Sequence, residues 1–212
     1  MLFDIPNKTE PNGPLPQNKP VASNMESTHT NSAAKIKIDT IPLWAPEAIS
    51  EISLFLLRLN RKARVLEFGS GGSTIWLGTY AGEVLSLEHD TNYRIAVQQK
   101  IEQFEFCNVK LEFSPLPYYS ITQSMRDESF DLVIVDGRNR VECIKHSLRL
   151  VKSGGMLVLD DAQRTRYSEG RGFLEAFPTR RFFSKNRSTQ LWEISREINY
   201  PVNATSNPFT IK

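Results

Sequence analysis

The stretch Arg64-Val-Leu-Glu67-Phe-Gly69-Ser70-Gly71-Gly72-Ser73-Thr74 decides the fold. Arg64 to Phe68 is a short apolar run of the kind that forms a buried strand. Glycines follow at once, and glycine lets a chain turn sharply and lets its backbone approach a ligand closely. From Thr74 to Tyr80 the sequence reads as a helix, which Ser73 or Thr74 can cap. A strand running through such a turn into a helix presents free N–H groups at the helix start. Glu67, at the strand's carboxyl end, can accept hydrogen bonds from a ligand ammonium or from the turn's own amides.

Outward from this unit, strands and helices alternate. Val84 to Glu88 reads as a second strand, Asn92 to Phe104 as a helix and Val109 to Phe113 as a third strand. Phe130-Asp-Leu-Val-Ile-Val-Asp136 is a fourth, with the continuous apolar run of a strand covered on both faces. Val141 to Leu150 reads as a helix, Lys152-Ser-Gly-Gly as a turn and Met156 to Asp160 as a fifth strand. Upstream, Ile49, Ile52, Leu56 and Leu59 recur at helical spacing between Pro46 and Asn60. Strand–helix units of this size give a parallel sheet with right-handed crossovers. Arg180 to Ser184 and Gln190 to Ser195, joined by a five-residue polar loop, read as an antiparallel hairpin. The expected architecture is α/β: a Rossmann-like three-layer sandwich on a mostly parallel seven-stranded sheet with a C-terminal antiparallel hairpin.

The chain has 212 residues, enough for one domain with a sizeable core. Residues 1–38 are rich in Pro, Asn, Ser and Thr and read as a disordered tail; 39–196 form the domain and 197–212 a second tail. With 26 basic and 24 acidic residues, the net charge of +2 gives no support for nucleic acid as the main partner. No apolar run approaches membrane-spanning length and no secretory signal is visible, so a cytoplasmic protein is expected. The two cysteines, Cys107 and Cys143, are expected to be buried free thiols.

A dinucleotide-binding turn would carry glycines at 69, 71 and 74, and the third position holds Thr74. An acid two places before the first glycine suits a cationic, phosphate-free ligand better. Glu88, at the end of the second strand and 21 positions after Glu67, can hold both hydroxyls of a ribose.

Four segments together resemble the successive motifs of class I S-adenosylmethionine (SAM)-dependent methyltransferases: Glu67 to Thr74, Leu87 to Asp90, Phe130 to Gly137 and Val151 to Asp161. The resemblance covers roughly residues 40 to 196. It implies that Glu67 and the turn Gly69-Ser70-Gly71, with Ser73 and Thr74 behind it, hold the methionine part of SAM. It implies Glu88 on the ribose, His89 beside it, and Ser114 to Tyr119 and Asp136 flanking the adenine and reacting centre. Trp44, ahead of the first helix, either contacts the cofactor or simply packs in the core.

Acid and base candidates follow the fourth and fifth strands: Asp136, Arg138, Arg140, Asp160, Asp161, Arg164 and Tyr167. Asp136, Asp160 and Arg138 are the leading catalytic candidates. Asp136 with Asp160-Asp161 is similar to the carboxylate set that holds Mg²⁺ in catechol-type O-methyltransferases. The chain departs from that set by having Asp161 for an asparagine and Asn139 for a lysine, so no residue is assigned as a metal ligand. Arg138 and Arg140 either pair with Asp136 or Asp160 or clamp an anionic acceptor. The expected partner is a small, possibly anionic molecule, with O-methylation favoured. The competing readings are an NAD(P)-dependent oxidoreductase, an aminopropyl-transferring relative and a non-catalytic scaffold of the same fold. No oligomeric state follows from the sequence.

Overall fold

A computed structural model describes residues 36–196. The expected tails fall outside the described residues, except for Ile36, Lys37 and Ile38. Ile38 is buried in a cluster with Ile75, Val97, Ile101 and Leu111, so packing begins before the expected domain boundary at 39.

The elements are α1 (Pro46–Arg58), β1 (Arg64–Phe68), α2 (Gly72–Tyr80), β2 (Glu83–Glu88), α3 (Thr91–Gln103) and β3 (Val109–Phe113). After them come β4 (Phe130–Val135), α4 (Arg140–Ser147), β5 (Val151–Leu159), α5 (Ser168–Gly172), β6 (Thr179–Ser184) and β7 (Arg187–Ile194). Seven strands form one sheet in the order β3-β2-β1-β4-β5-β7-β6. The first five are parallel, and β7 inserts antiparallel between β5 and β6. The sheet order reverses beside β1, so the carboxyl ends of β1 and β4 flank the crevice where open α/β sheets bind ligands.

Alternation along the strands divides the core into two layers. Val65, Val84, Leu132, Ile134, Met156, Val158 and Leu191 face α1 and α2. Leu66, Phe68, Val133, Val135, Leu157 and Leu159 face the other way, onto Cys143, Ile144, Leu174 and Phe177. These are the three layers expected of the sandwich.

Three local expectations are corrected. Lys152-Ser-Gly-Gly is part of β5 and not a turn; the strand absorbs it through a register shift between Phe130 and Leu132 on β4. The hairpin closes in two residues, because Ser184 pairs with Arg187 and Lys185 takes the left-handed conformation (φ 50°). Cys107 is exposed on the approach to β3, whereas Cys143 is buried as expected. Burial pushes the Cys143 thiol up to about 12, which leaves it unreactive. Among the described residues no helix is long and apolar enough to cross a membrane.

Ile134 is fully buried on the central strand β4. Ile134→Ala is expected to cost about 2–5 kcal/mol, read as a lower urea midpoint; an unchanged midpoint contradicts the assigned core.

Candidate active site

The site is built from the carboxyl ends of β1, β2, β4 and β5. Gly69 turns the chain with φ 94°, and a side chain there would strike the Gly137 backbone at 2.6 Å. The turn after β1 therefore lies directly against the turn after β4. At Gly72 an added Cβ would sit 2.6 Å from the Ile41 carbonyl oxygen, so residues 36–45 run as a strap over the start of α2.

Strand alternation sends Glu67 under α2 and away from the open cleft. It is fully buried beside Ser86, its partner across β1 and β2. Ser73 Oγ donates to its Oε1 at 2.5 Å, and Thr74 Oγ1 and Ser86 Oγ both donate to its Oε2 at 2.6 Å. Thr74 Oγ1 also accepts the Gly71 N–H at 2.9 Å. The two expected helix caps thus reach down to a carboxylate, and Glu67 and Thr74 line neither cavity of the site. Burial pushes Glu67 up to about 7 despite its three hydroxyl donors.

Glu88 faces the cleft but is already engaged. Its Oε2 accepts from Ser70 N–H at 3.2 Å and Ser70 Oγ at 2.9 Å. Its Oε1 accepts the N–H groups of His89 and Asp90, at 2.8 and 2.9 Å. His89 Nδ1 lies 2.7 Å from Tyr118 Oη and 2.9 Å from Glu88 Oε1, and Tyr118 is buried. The α3 start is fixed by Asp90, whose side chain accepts from Tyr93 N–H at 2.8 Å. Tyr93 then stands over the glycine turn, its hydroxyl 3.0 Å from where a Gly71 Cβ would be.

Asp136 ends β4 and lies at the junction of the site. Trp44 Nε1 donates to its Oδ2 at 3.1 Å, while the Trp44 ring packs edge-on against Trp76. The Trp44 ring packs in the core, as one reading expected, and its Nε1 meets Asp136. Arg140 Nη2 lies 3.0 Å from Asp136 Oδ1. Asp160, at the end of β5, accepts from Thr189 Oγ1 at 2.9 Å, and Thr189 Oγ1 accepts the Ala45 N–H at 3.0 Å. Burial raises both Asp136 and Asp160 above the ordinary carboxylate range. Arg140 opposes this at both, and neighbouring carboxylates add to it.

Two cavities meet at Ser70, Tyr93, Asp136 and Arg140. The larger, about 680 Å³, holds Gly69, Ser70, Glu88, His89, Asp136 and Arg138 of the expected site residues. The smaller, about 240 Å³, holds Ser70, Gly71, Ser73, Asp136 and Asp160. Sequence reasoning missed Tyr93, Thr189, Arg187 and the strap residues Lys37, Asp39 and Ile41. Tyr93 had a local signal, an aromatic in the first turn after the strand-ending acid. Thr189 and Arg187 come from the far end of the chain and had none.

The carboxylates that resemble an Mg²⁺ set, and to which no ligand role is assigned, do not fit an ion. Among the described residues no group of three or more His, Cys, Asp or Glu side chains is arranged to hold a metal. The Arg140 guanidinium lies between Asp136 and Asp161, 3.0 and 4.0 Å from their carboxylates.

No protein-family model matches the sequence, and no curated protein matches it. Solved structures do match the fold. A Klebsiella pneumoniae protein provisionally described as an O-methyltransferase superposes with TM-score 0.59 at 18% identity, over 73% of this chain and 84% of its own. A precorrin-6y C5,15-methyltransferase from Geobacter metallireducens gives TM-score 0.57 at 19% identity, over 74% of this chain and 95% of its own. A Streptococcus mutans protein provisionally described as a methyltransferase, solved with S-adenosylhomocysteine (SAH), gives TM-score 0.56 at 17% identity, over 68% of this chain and 96% of its own. The chain has the fold of class I SAM-dependent methyltransferases.

The Glu67 proton has a measurable consequence. Its folded value, about 7, lies above the ordinary 4.5, so the folded chain holds the proton where the unfolded chain has lost it. This group's stabilisation is complete below about 4.5 and is lost as pH rises through about 7, amounting to about 3 kcal/mol. Glu67→Gln, which keeps the shape but cannot titrate and turns one acceptor into a donor, is expected to flatten that part of the unfolding free energy against pH. An identical slope in the variant would show that Glu67 is not the titrating group.

Proposed function

We propose that this chain is a SAM-dependent methyltransferase that methylates an oxygen of a small anionic acceptor. The observation that carries the reading is where the carboxylates stand in a cleft of mixed charge, whose walls also hold Lys37, Arg138, Arg140, Arg164, Arg166 and Arg187. Glu88 stands at one end, Asp136 at the junction and Asp39, Asp160 and Asp161 beyond it. Burial above all, with the carboxylates of Glu88, Asp136, Glu67 and Asp39 adding to it, holds the Tyr93 hydroxyl above the ordinary tyrosine range. Carboxylates at these places suit the ammonium and sulfonium of SAM. SAH in a protein of the same fold is consistent with this choice.

Bound there, SAM supplies an electrophilic sulfonium methyl group. Glu88 accepts from the ribose hydroxyls in place of Ser70, and the Gly69–Gly71 backbone and Asp136 hold the amino-acid end. Asp160, whose Oδ1 is held by Thr189, would take the acceptor's hydroxyl proton on its free Oδ2 when the oxygen accepts the methyl group and SAH leaves. Burial suits Asp160 to the task, since a raised carboxylate is a stronger base.

Arg138 and Arg166 support an anionic acceptor. Both line the larger cavity, and neither makes an ion pair among the described residues; Arg166 lies 5.0 Å above the Tyr167 ring. Arg164 in the same wall is already committed to Asp161 at 2.6 Å. The balanced overall charge agrees with a small molecule rather than nucleic acid, and the cytoplasm is the compartment we assign.

Calorimetric titration tests the reading. SAM and SAH are expected to bind and NAD is not, and Glu88→Ala is expected to weaken SAH by about ten- to a hundredfold. Ser70→Ala removes the group that competes for Glu88 and is expected to tighten SAH a few-fold. Failure of a folded wild type to bind either adenosyl ligand would refute the proposal. Separately, Arg138→Ala with Arg166→Ala is expected to raise KM for an acidic acceptor while SAH affinity stays unchanged; equal KM values would remove the anionic assignment.

A further inference from the structure

The same cleft contains a cation that belongs to the chain. Arg140 is the first residue of α4, and Asn139 before it takes the left-handed conformation (φ 51°). Its side chain contacts the ends of β4 and β5, and the residue is only 8% exposed. Nε donates to Gly137 O at 2.9 Å, Nη2 donates to Asp136 O at 2.7 Å and to Asp136 Oδ1 at 3.0 Å, and Nη1 donates to Asp160 O. Asp161 Oδ2 lies 4.0 Å from Nη2, and the guanidinium carbon stands 5.3 Å from the Tyr167 ring centre.

A guanidinium carries five N–H donors, and those four bonds leave one Nη1 N–H unengaged. A buried charge persists only where its partners are this complete. The partners are three carbonyl oxygens and a carboxylate, the hard oxygen donors that Mg²⁺ or Mn²⁺ prefers. All of them are spent on the guanidinium. Arg140 also borders both cavities where they meet, beside Asp136.

We infer that Arg140 is the resident cation of this site: it takes the place and the charge-balancing role of a divalent ion and offers its fifth N–H to the acceptor oxygen. The inference rests on the methyltransferase reading for the acceptor, but not for the exclusion of the ion. Arg140 offsets the repulsion among Asp136, Asp160 and Asp161, and it favours the oxyanion that forms as the acceptor loses its proton. Lysine cannot replace it, because a single ammonium does not span the carbonyls of two strands' ends.

Mn²⁺ binding to the whole chain, followed by the electron paramagnetic resonance of the free ion, tests this directly. Wild type is expected to leave Mn²⁺ free, and its SAH affinity is expected to be the same with Mg²⁺ or with EDTA. Arg140→Ala uncovers the carboxylates and is expected to bind Mn²⁺ about tenfold or more tightly than wild type, a gain erased by adding Asp136→Asn. Arg140→Met, which keeps the packing on Tyr167, serves as the second variant should the alanine form fail to fold by circular dichroism. Wild type that sequesters Mn²⁺, and loses it on Asp136→Asn, overturns the inference whatever the variants do. So do folded Arg140 variants that gain no Mn²⁺. Failure of SAH to bind would instead sink the methyltransferase reading, and the Mn²⁺ result would still decide the identity of the cation.

Discussion

A carboxylate that cannot reach water must be hydrogen-bonded or protonated, and the turn after β1 is organised around that constraint. Glu67 draws Ser73, Thr74 and Ser86 onto itself, and Thr74 in turn takes the Gly71 N–H. The glycine turn is thereby tied to the first turn of α2 and to β2 from below. From the side, Glu88 fixes Ser70 and the two residues that lead into α3. The two acids divide the labour: Glu67 builds the turn from below, and Glu88 holds it from the cleft wall.

The far side of the cleft obeys the same rule with opposite charge. Asp136, Asp160 and Asp161 come from the ends of adjacent strands, β4 and β5, and three such carboxylates cannot stand together unanswered. Arg140 pairs with Asp136 at 3.0 Å and Arg164 with Asp161 at 2.6 Å, while Trp44 and Thr189 each satisfy one further oxygen, on Asp136 and Asp160. Those two partners tie the strap before α1 and the strand β7 to the floor of the cleft. The C-terminal hairpin is therefore part of the site, through Thr189 and Arg187, as well as a closing edge of the sheet.

Much of this was legible in the sequence. The strand–turn–helix at 64–80, the acid-tipped second strand and the apolar run to Asp136 fixed the sheet and the mouth of the cleft, because buried parallel strands and glycine turns leave local signatures. The sequence could not say which way Glu67 points. Placing it at a strand end was correct, but the alternation of β1 sends it beneath α2, and only the neighbouring Ser86 on β2 reveals why. Arg138 and Arg140, two positions apart, looked equivalent and have opposite environments: one is exposed and unpaired, the other buried and paired with Asp136. Their difference comes from the left-handed Asn139 between them, which composition does not announce. The two-residue hairpin was misjudged for a similar reason, since the polar run 185–189 reads as loop while Ser188 and Thr189 are buried strand residues.

The central claim, that this cleft is an adenosyl site, is tested most directly by a crystal structure of the chain grown with SAH. The account predicts the ribose hydroxyls on Glu88, with Ser70 Oγ displaced from Oε2, and the homocysteine end against Gly69–Gly71 and Asp136. Glu67 is predicted to remain on its three hydroxyls and Arg140 on Asp136. SAH bound elsewhere, or a cleft that stays empty at saturating ligand with Ser70 still on Glu88, would contradict the account.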